Sequence, residues 1–245
     1  MDEKKKLLEY ELADIITQKP HEIKVGRKLL RLYPVTLAKM LVLRWYIDDL
    51  RINTELLQRS PELEAIRLVR EHKGTCCDFL AIHTSPNTYK DLFNLHSRAE
   101  RRNLFMKVEE PDLAALLLNV LSSDRTAELM AHLGIDKEQE RMGRVMEVKR
   151  RRNKNSISFG GLSVFGSFIG QLKEMGYTDS EILYERGYSY LRLMLADKVT
   201  SVYLSDEEMK ELSALDIGKD TMDANDPRSA EKILGALANR GLKIN

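Results

Sequence analysis

The stretch "HEIKVGRKLLRLYPVTLAKMLVL", residues 21–43, contains both kinds of secondary structure that the sequence predicts. Polar and apolar residues alternate in two short runs that are separated by Gly26 and Arg27. The apolar positions of the two runs are Ile23, Val25, Leu30 and Leu32. Alternation with a period of two is typical of a β-strand, and a glycine between two such runs is typical of a hairpin turn. We therefore predict one β-hairpin at about residues 22–33.

The chain after this hairpin is predicted to be almost entirely helical. Pro34 stops the hairpin, and Thr36 is a suitable N-cap for the helix that follows. Proline near a helix start favours further helices at Pro61, Pro111 and Pro227. The predicted fold class is a mostly α, multi-helix protein with one short N-terminal β-hairpin.

Several finer predictions concern single helices. Gly74 is expected to break the helix around it, and Trp45, on a mostly apolar helix, is expected in the core. Thr178 and Glu181 form a capping-box pattern that opens a long helix. One face of that helix is predicted to carry Tyr188, Leu191, Leu195, Val199 and Val202.

The composition is that of a soluble helical protein. Among 245 residues, 43% are apolar and 31% are charged, with 39 Lys plus Arg against 38 Asp plus Glu. A nearly neutral chain is not built as a whole to coat nucleic acid or an acidic membrane. The sequence has no secretory signal pattern and no run of about 18 apolar residues. With only two cysteines, the predicted compartment is a reducing cytoplasm.

A shift in composition at residues 149–160 suggests a domain boundary. We predict an N-terminal hairpin and helical body at 1–150 and a C-terminal helical module at 151–245. Residues 141–154 contain seven Lys or Arg and one Glu, whereas residues 205–226 contain eight Asp or Glu and two Lys. These patches are either solvated helix faces or complementary surfaces for head-to-tail self-association.

The glycine-rich stretch "FGGLSVFGSFIG", residues 159–170, follows the basic run and has to be tested for phosphate binding. Gly161 and Gly166 have the separation of a P-loop, but Ser167 and Phe168 stand where Lys and Ser or Thr are needed. Gly166 and Gly170 are four residues apart, so they share one helix face and permit close approach of a second helix. That crossing is either internal to the core or between chains.

Motifs for catalysis and metal binding are missing from the sequence. It contains no HExxH, CxxC or GxSxG pattern and no paired-carboxylate signature. We therefore predict no enzymatic activity, no catalytic residue, no metal site and no cofactor. Cys76 and Cys77 are predicted to be small core residues.

Two stretches together resemble proteins of phage tails. "IKVGRKLLRLYPVTLAKMLVL", residues 23–43, resembles the opening of many phage tail-assembly and tail-associated proteins, in which a short hairpin leads into a helix. "SVFGSFIGQLKEMGYTDSEILYERGYSYLRLMLADKVTSVYLSDEE", residues 163–208, resembles the C-terminal region of small phage and prophage proteins. The resemblance covers roughly residues 21–50 and 156–210, which is under half of the chain.

This resemblance implies a phage or prophage tail assembly chaperone in the cytoplasm of the bacterial host. Such a protein is not an enzyme, and it binds a tape-measure or tail-tube protein through apolar helical surfaces, with possible homo-oligomers and no membrane. The ten Met residues of the chain are consistent with an adaptable binding groove and equally with an ordinary core. The predicted partner-binding residues are Phe165, Gly166, Phe168, Gly170, Tyr177, Tyr184 and Tyr188.

Three alternatives remain open at this point. The first is a structural virion component such as a head–tail connector, which stays in the finished particle. The second is a nucleic-acid-binding regulator that uses a basic patch, although no recognised motif accompanies the patch. Its residues are Lys149, Arg150, Arg151, Arg152 and Lys154. The third is an enzyme, which needs a polar cleft that the sequence does not indicate.

Overall fold

The structure is a computed structural model that describes residues 3–152 and 163–214. In these residues the chain forms twelve α-helices, two π-helical turns and one two-stranded antiparallel sheet, so the predicted fold class is confirmed. The elements in chain order are α1 (Glu3–Thr17), β1 (His21–Val25), β2 (Lys28–Leu32), α2 (Leu37–Leu50), α3 (Thr54–Arg59), α4 (Pro61–His83), α5 (Tyr89–Leu92), α6 (Leu95–Phe105), α7 (Glu110–Leu121), α8 (Thr126–Leu133), α9 (Ile135–Arg152), the first π-helical turn (Phe165–Gly170), α10 (Gln171–Glu174), the second π-helical turn (Glu181–Glu185), α11 (Tyr188–Ala196) and α12 (Asp206–Ala214).

The hairpin lies where its alternation pattern predicts it. His21 pairs with Leu32 and Val25 pairs with Lys28, and Gly26 between the strands has a φ of +59°. A positive φ carries little strain for glycine, which has no Cβ. Thr36 then caps α2, because its hydroxyl accepts a hydrogen bond from the Lys39 amide at 3.4 Å.

Helix α4 forms the centre of the main hydrophobic core. It packs against α2, α6 and α7, and the hairpin contributes apolar side chains to the same core. Cys76 and Cys77 are fully buried there, as predicted. The helix break predicted at Gly74 lies two residues earlier, because α4 is kinked at His72, which has non-helical backbone angles (φ −133°, ψ 36°). Gly74 itself lies in the helical segment that follows the kink.

The prediction of one long helix after Thr178 is wrong. That helix is replaced by the second π-helical turn and the short helix α11, and Val199 lies beyond α11 with 91% of its surface exposed. The interruption has a tertiary cause. Gly187 forms a β-bridge with Thr36, and the Tyr188 amide donates to the Val35 carbonyl at 2.7 Å. The backbone is extended at this point and cannot continue a helix.

The position of Trp45 also differs from its prediction. It is 76% exposed on α2, so the prediction that it lies in the core is wrong. The sequence of α2 is apolar on several faces, and its pattern therefore does not show which face the core covers.

The chain divides into two compact units by its internal contacts. The first comprises Met1–Ile135 and Phe159–Lys198, and the second comprises Asp136–Ser158 and Val199–Asn245. The boundary predicted between residues 150 and 151 falls near the end of α9, in the second unit, and the predicted pair of domains stays a prediction. Across residues 3–152 and 163–214, no helix has the length and apolar character to cross a membrane.

Candidate partner-binding groove

An open apolar groove lies in the first unit beside the two π-helical turns. Its volume is about 340 Å³. Most of its lining is apolar or glycine, and one charged pair stands at its edge. The lining residues are Phe165, Ile169, Gly170, Lys173, Asp179, Ile182 and Leu183.

Both π-helical turns contribute to the lining of this groove. The second turn is closed by a hydrogen bond from the Arg186 amide to the Glu181 carbonyl at 2.9 Å, five residues back. In the first turn, a Cβ on Gly170 would lie 3.1 Å from the Phe165 carbonyl oxygen. Gly170 thus has a local role, since its lack of a side chain leaves room for the carbonyl. π-Helical turns are rare and are often found at functional sites.

The floor beneath the groove is a small, separate hydrophobic cluster. Its buried members are Leu37, Leu172, Ile182 and Leu191. Phe168 and Tyr188 are half-buried against this cluster, with ring centroids 5.2 Å apart. Ile182 belongs both to the cluster and to the groove lining, so the groove is joined to a packed support.

A capping box fixes the start of the second π-helical turn. The Thr178 amide donates to Glu181 Oε2 at 3.0 Å, and the Glu181 amide donates to the Thr178 hydroxyl at 3.3 Å. The hydrogen bonds from Thr178 lower the pKa of the Glu181 carboxyl. Beside it, Lys173 Nζ bonds to both carboxylate oxygens of Asp179 at 3.0 Å, at the polar edge of the groove.

The structure separates the predicted partner-binding residues into three groups. Phe165, which is 73% exposed, and Gly170 line the groove, and Gly166 is exposed on the same turn. Phe168, Tyr177 and Tyr188 are half-buried against the cluster beneath it. Tyr184 is half-buried elsewhere, packed against the main core with its ring 6.1 Å from that of Tyr89.

Sequence reasoning missed the second wall of the groove. Ile182 and Leu183 come directly after the capping box, which was identified only as a helix start. The same capping box could have indicated that a fixed turn presents these residues. Partner binding by either wall stays a prediction.

The basic patch is largely paired with acidic residues inside the second unit. Lys149 Nζ lies 3.9 Å from Glu208, and Arg152 lies 2.9 Å from Glu211. Arg151 pairs with a carboxylate of α9 itself, whereas Arg150 has no carboxylate within 4.0 Å in the described part of the chain. Lys154 lies outside the described residues. Part of the opposite charge of α9 and α12 is thus satisfied within one chain.

A buried lysine in the first unit was not predicted. Lys39 Nζ donates to the Ser85 carbonyl at 2.8 Å and to the His83 carbonyl at 3.4 Å, and so satisfies carbonyls at the end of α4. Burial, with repulsion from Arg101, lowers the pKa of Lys39 from 10.5 to about 7. Burial, with repulsion from Lys39, lowers the pKa of His83 to about 3.

The described residues contain no metal-ligand cluster, and both cysteines are buried. No group of three or more His, Cys, Asp or Glu could hold a metal ion in residues 3–152 and 163–214. Burial raises the pKa of Cys76 to about 12 and that of Cys77 to about 11, which keeps both as unreactive thiols near neutral pH. Comparisons of the chain with protein-family models, curated proteins and solved structures found no match.

Proposed function

We propose that this protein is a non-enzymatic tail assembly chaperone of the phage or prophage type. Its groove binds an apolar helical segment of a tape-measure or tail-tube protein. The proposal rests on the sequence resemblance to tail-assembly proteins and on one structural observation. That observation is an exposed aromatic side chain, Phe165, beside an open apolar groove on a packed support.

The chemistry of the groove favours a helix as its occupant. An amphipathic helix places apolar side chains three or four residues apart, and such side chains can enter an apolar groove one after another. Exposed aromatic residues at the centre of an interface commonly supply much of the binding free energy. The Lys173–Asp179 pair at the groove edge supplies polar groups at the rim, where they stay in contact with water.

The ion pairs that α9 cations form with carboxylates of α9 and α12 argue against nucleic acid as the main partner. A chain that binds phosphate backbones uses unpaired Lys and Arg, whereas Lys149, Arg151 and Arg152 already lie within 4.0 Å of carboxylates. The proposal of a tail assembly chaperone therefore has better support than the alternative of a nucleic-acid-binding regulator.

Co-expression with the neighbouring genes, followed by pull-down of the tagged chain and mass spectrometry, tests this proposal. The wild-type chain is expected to retain a long helical protein or a tail-tube subunit. Phe165→Asp should weaken that retention by roughly 30-fold, which corresponds to about 2 kcal/mol for loss of an aromatic anchor. Because Phe165 is exposed, its variant should keep the wild-type melting temperature.

Val199→Asp is the matched control, since Val199 is also an exposed apolar residue but does not line the groove. It should retain the partner fully. Phe168→Asp is a poor test, because Phe168 is half-buried against Tyr188 and its loss is expected to unfold the cluster. Full retention by a folded Phe165→Asp variant would contradict the proposed groove.

A further inference from the structure

A second groove in the first unit has a different chemistry from the apolar one. It lies where β2 meets α6, and its volume is about 450 Å³, within the range of small-molecule sites. Polar and charged side chains make up most of its lining. The lining residues are Lys28, Leu30, Ser97, Glu100, Arg101, Asn103, Leu104 and Lys107.

This groove has an excess of positive charge. Lys28, Arg101 and Lys107 are cationic, and Glu100 is the one acid of the lining. Glu100 Oε1 lies 3.3 Å from His96 Nε2, which carries a charge only when it is protonated. None of the three cations has a carboxylate within 4.0 Å in residues 3–152 and 163–214. Other surface cations of this chain, such as those of α9, do have such partners.

Arg101 is held in place at the inner side of the groove. Its NH1 donates to the carbonyl of the buried residue Thr84 at 2.8 Å, while its Nε is buried with no hydrogen-bond partner in the described structure. A guanidinium that is anchored by one nitrogen is already oriented, so it loses little conformational entropy when it binds an anion.

The buried amino group of Lys39 is a second basic group close to Arg101. Lys39 is fully buried and donates only to main-chain carbonyls, and repulsion from Arg101 contributes to its lowered pKa. An anion that binds nearby offsets this repulsion and favours the protonated form of Lys39. Ser97 and Asn103 add a hydroxyl and an amide that can donate hydrogen bonds to the same anion.

We propose that this groove binds a phosphate dianion, either free or as the monoester of a small molecule. Arg101 and Lys107 are its principal charge partners, and Glu100 opposes its binding. A compact dianion matches the excess of two positive charges, and phosphate oxygens accept several charge-assisted hydrogen bonds at once. This site is independent of the apolar groove and of the proposed chaperone function.

Isothermal titration of the full chain with inorganic phosphate and with adenosine monophosphate tests the proposal. Sodium chloride keeps the ionic strength constant, because exposed charges are screened by salt. Saturable binding of at least one probe is expected. Tighter binding of inorganic phosphate would identify a free-phosphate site, and tighter binding of adenosine monophosphate would identify a monoester site.

Two variants that change the charge of the groove in opposite directions make the test specific. Lys107→Gln should weaken binding and Glu100→Gln should strengthen it, each by roughly three- to tenfold, because one unit charge near the anion is removed. Both residues are exposed, so both variants should fold. Lys90→Gln, an exposed lysine that does not line this groove, should bind like the wild type.

The proposal requires this complete pattern. No saturable binding of either probe, or equal affinities in all variants, would overturn it. Binding only to a single-stranded oligonucleotide, with a steep loss of affinity as salt rises, would also overturn it and would point to a diffuse polyanion surface.

Discussion

The buried amino group of Lys39 makes the stability of this protein depend on pH. Its pKa is 10.5 when exposed and falls to about 7 in the folded chain, because burial disfavours the charged form. Between these two values the unfolded chain binds a proton that the folded chain does not bind. Folding stability therefore rises with pH across this window, and the full penalty is present below about pH 7.

The change is large enough to measure. Linkage between the two pKa values gives an increase of about 2 kcal/mol in the free energy of unfolding from about pH 7 to about pH 9. Lys39→Met keeps most of the side-chain length and removes the titration, so this part of the pH dependence should disappear. Both proteins are expected to show other pH effects, and these cancel in the difference between them.

Urea unfolding of the wild type and of Lys39→Met, at both pH values, is the appropriate assay. The wild type should gain about 2 kcal/mol over the variant as the pH rises. Lys90→Met, an exposed control, should follow the wild type. The difference in the free energy of unfolding between the wild type and Lys39→Met is the decisive quantity. If it is the same at both pH values, the lowered pKa of Lys39 is refuted, and so is the burial of this amino group at the end of α4.

Three further predictions concern His83, Gly170 and Gly143. His83 has a pKa lowered from 6.5 to about 3, so the folded state stays neutral while the unfolded state is protonated, and stability should fall as pH decreases through this range. His83→Phe should lessen that loss in acid unfolding curves, and equal curves would contradict the prediction. Gly170→Ala should lower the free energy of unfolding by about 1 kcal/mol, because the added Cβ would lie 3.1 Å from the Phe165 carbonyl oxygen. Thermal unfolding should show this as a lower melting temperature. Gly143→Ala, which meets nothing within 4 Å in helix α9, should stabilise by roughly 0.5–1 kcal/mol, and a loss of stability there would show that the position is not free.

The opposite charges of α9 and α12 change the interpretation of the sequence. From the sequence, the basic and acidic patches are either solvated helix faces or surfaces for self-association, and the basic patch is also a candidate for nucleic-acid binding. The pairs of Lys149 with Glu208 and of Arg152 with Glu211 satisfy part of this charge inside one chain. Exposed ion pairs of this kind contribute little to stability and are screened by salt. By themselves they therefore do not hold the two helices together permanently.

Part of the candidate groove was predictable and part was not. Phe165 and Gly170 were identified because the glycine-rich stretch is conspicuous among bulky apolar residues. Ile182 and Leu183 follow an ordinary capping box, and nothing in their spacing shows that they face Phe165. The π-helical turns were not predictable either, since their local residues equally fit an α-helix.

The sequence by itself determined the elements whose signals are local. Alternation around Gly26 predicts the hairpin, and the capping patterns at Thr36 and Thr178 predict where turns begin. The caps join residues three positions apart and the hairpin joins neighbouring strands across one short turn, so their signals are local. Only the tertiary structure decided the rest. The bridge from Gly187 to Thr36 ends one helix and starts another, and the burial of Lys39 depends on carbonyls at the end of α4. Those contacts join distant parts of the chain, and the stability of each depends on neighbours that no local pattern specifies.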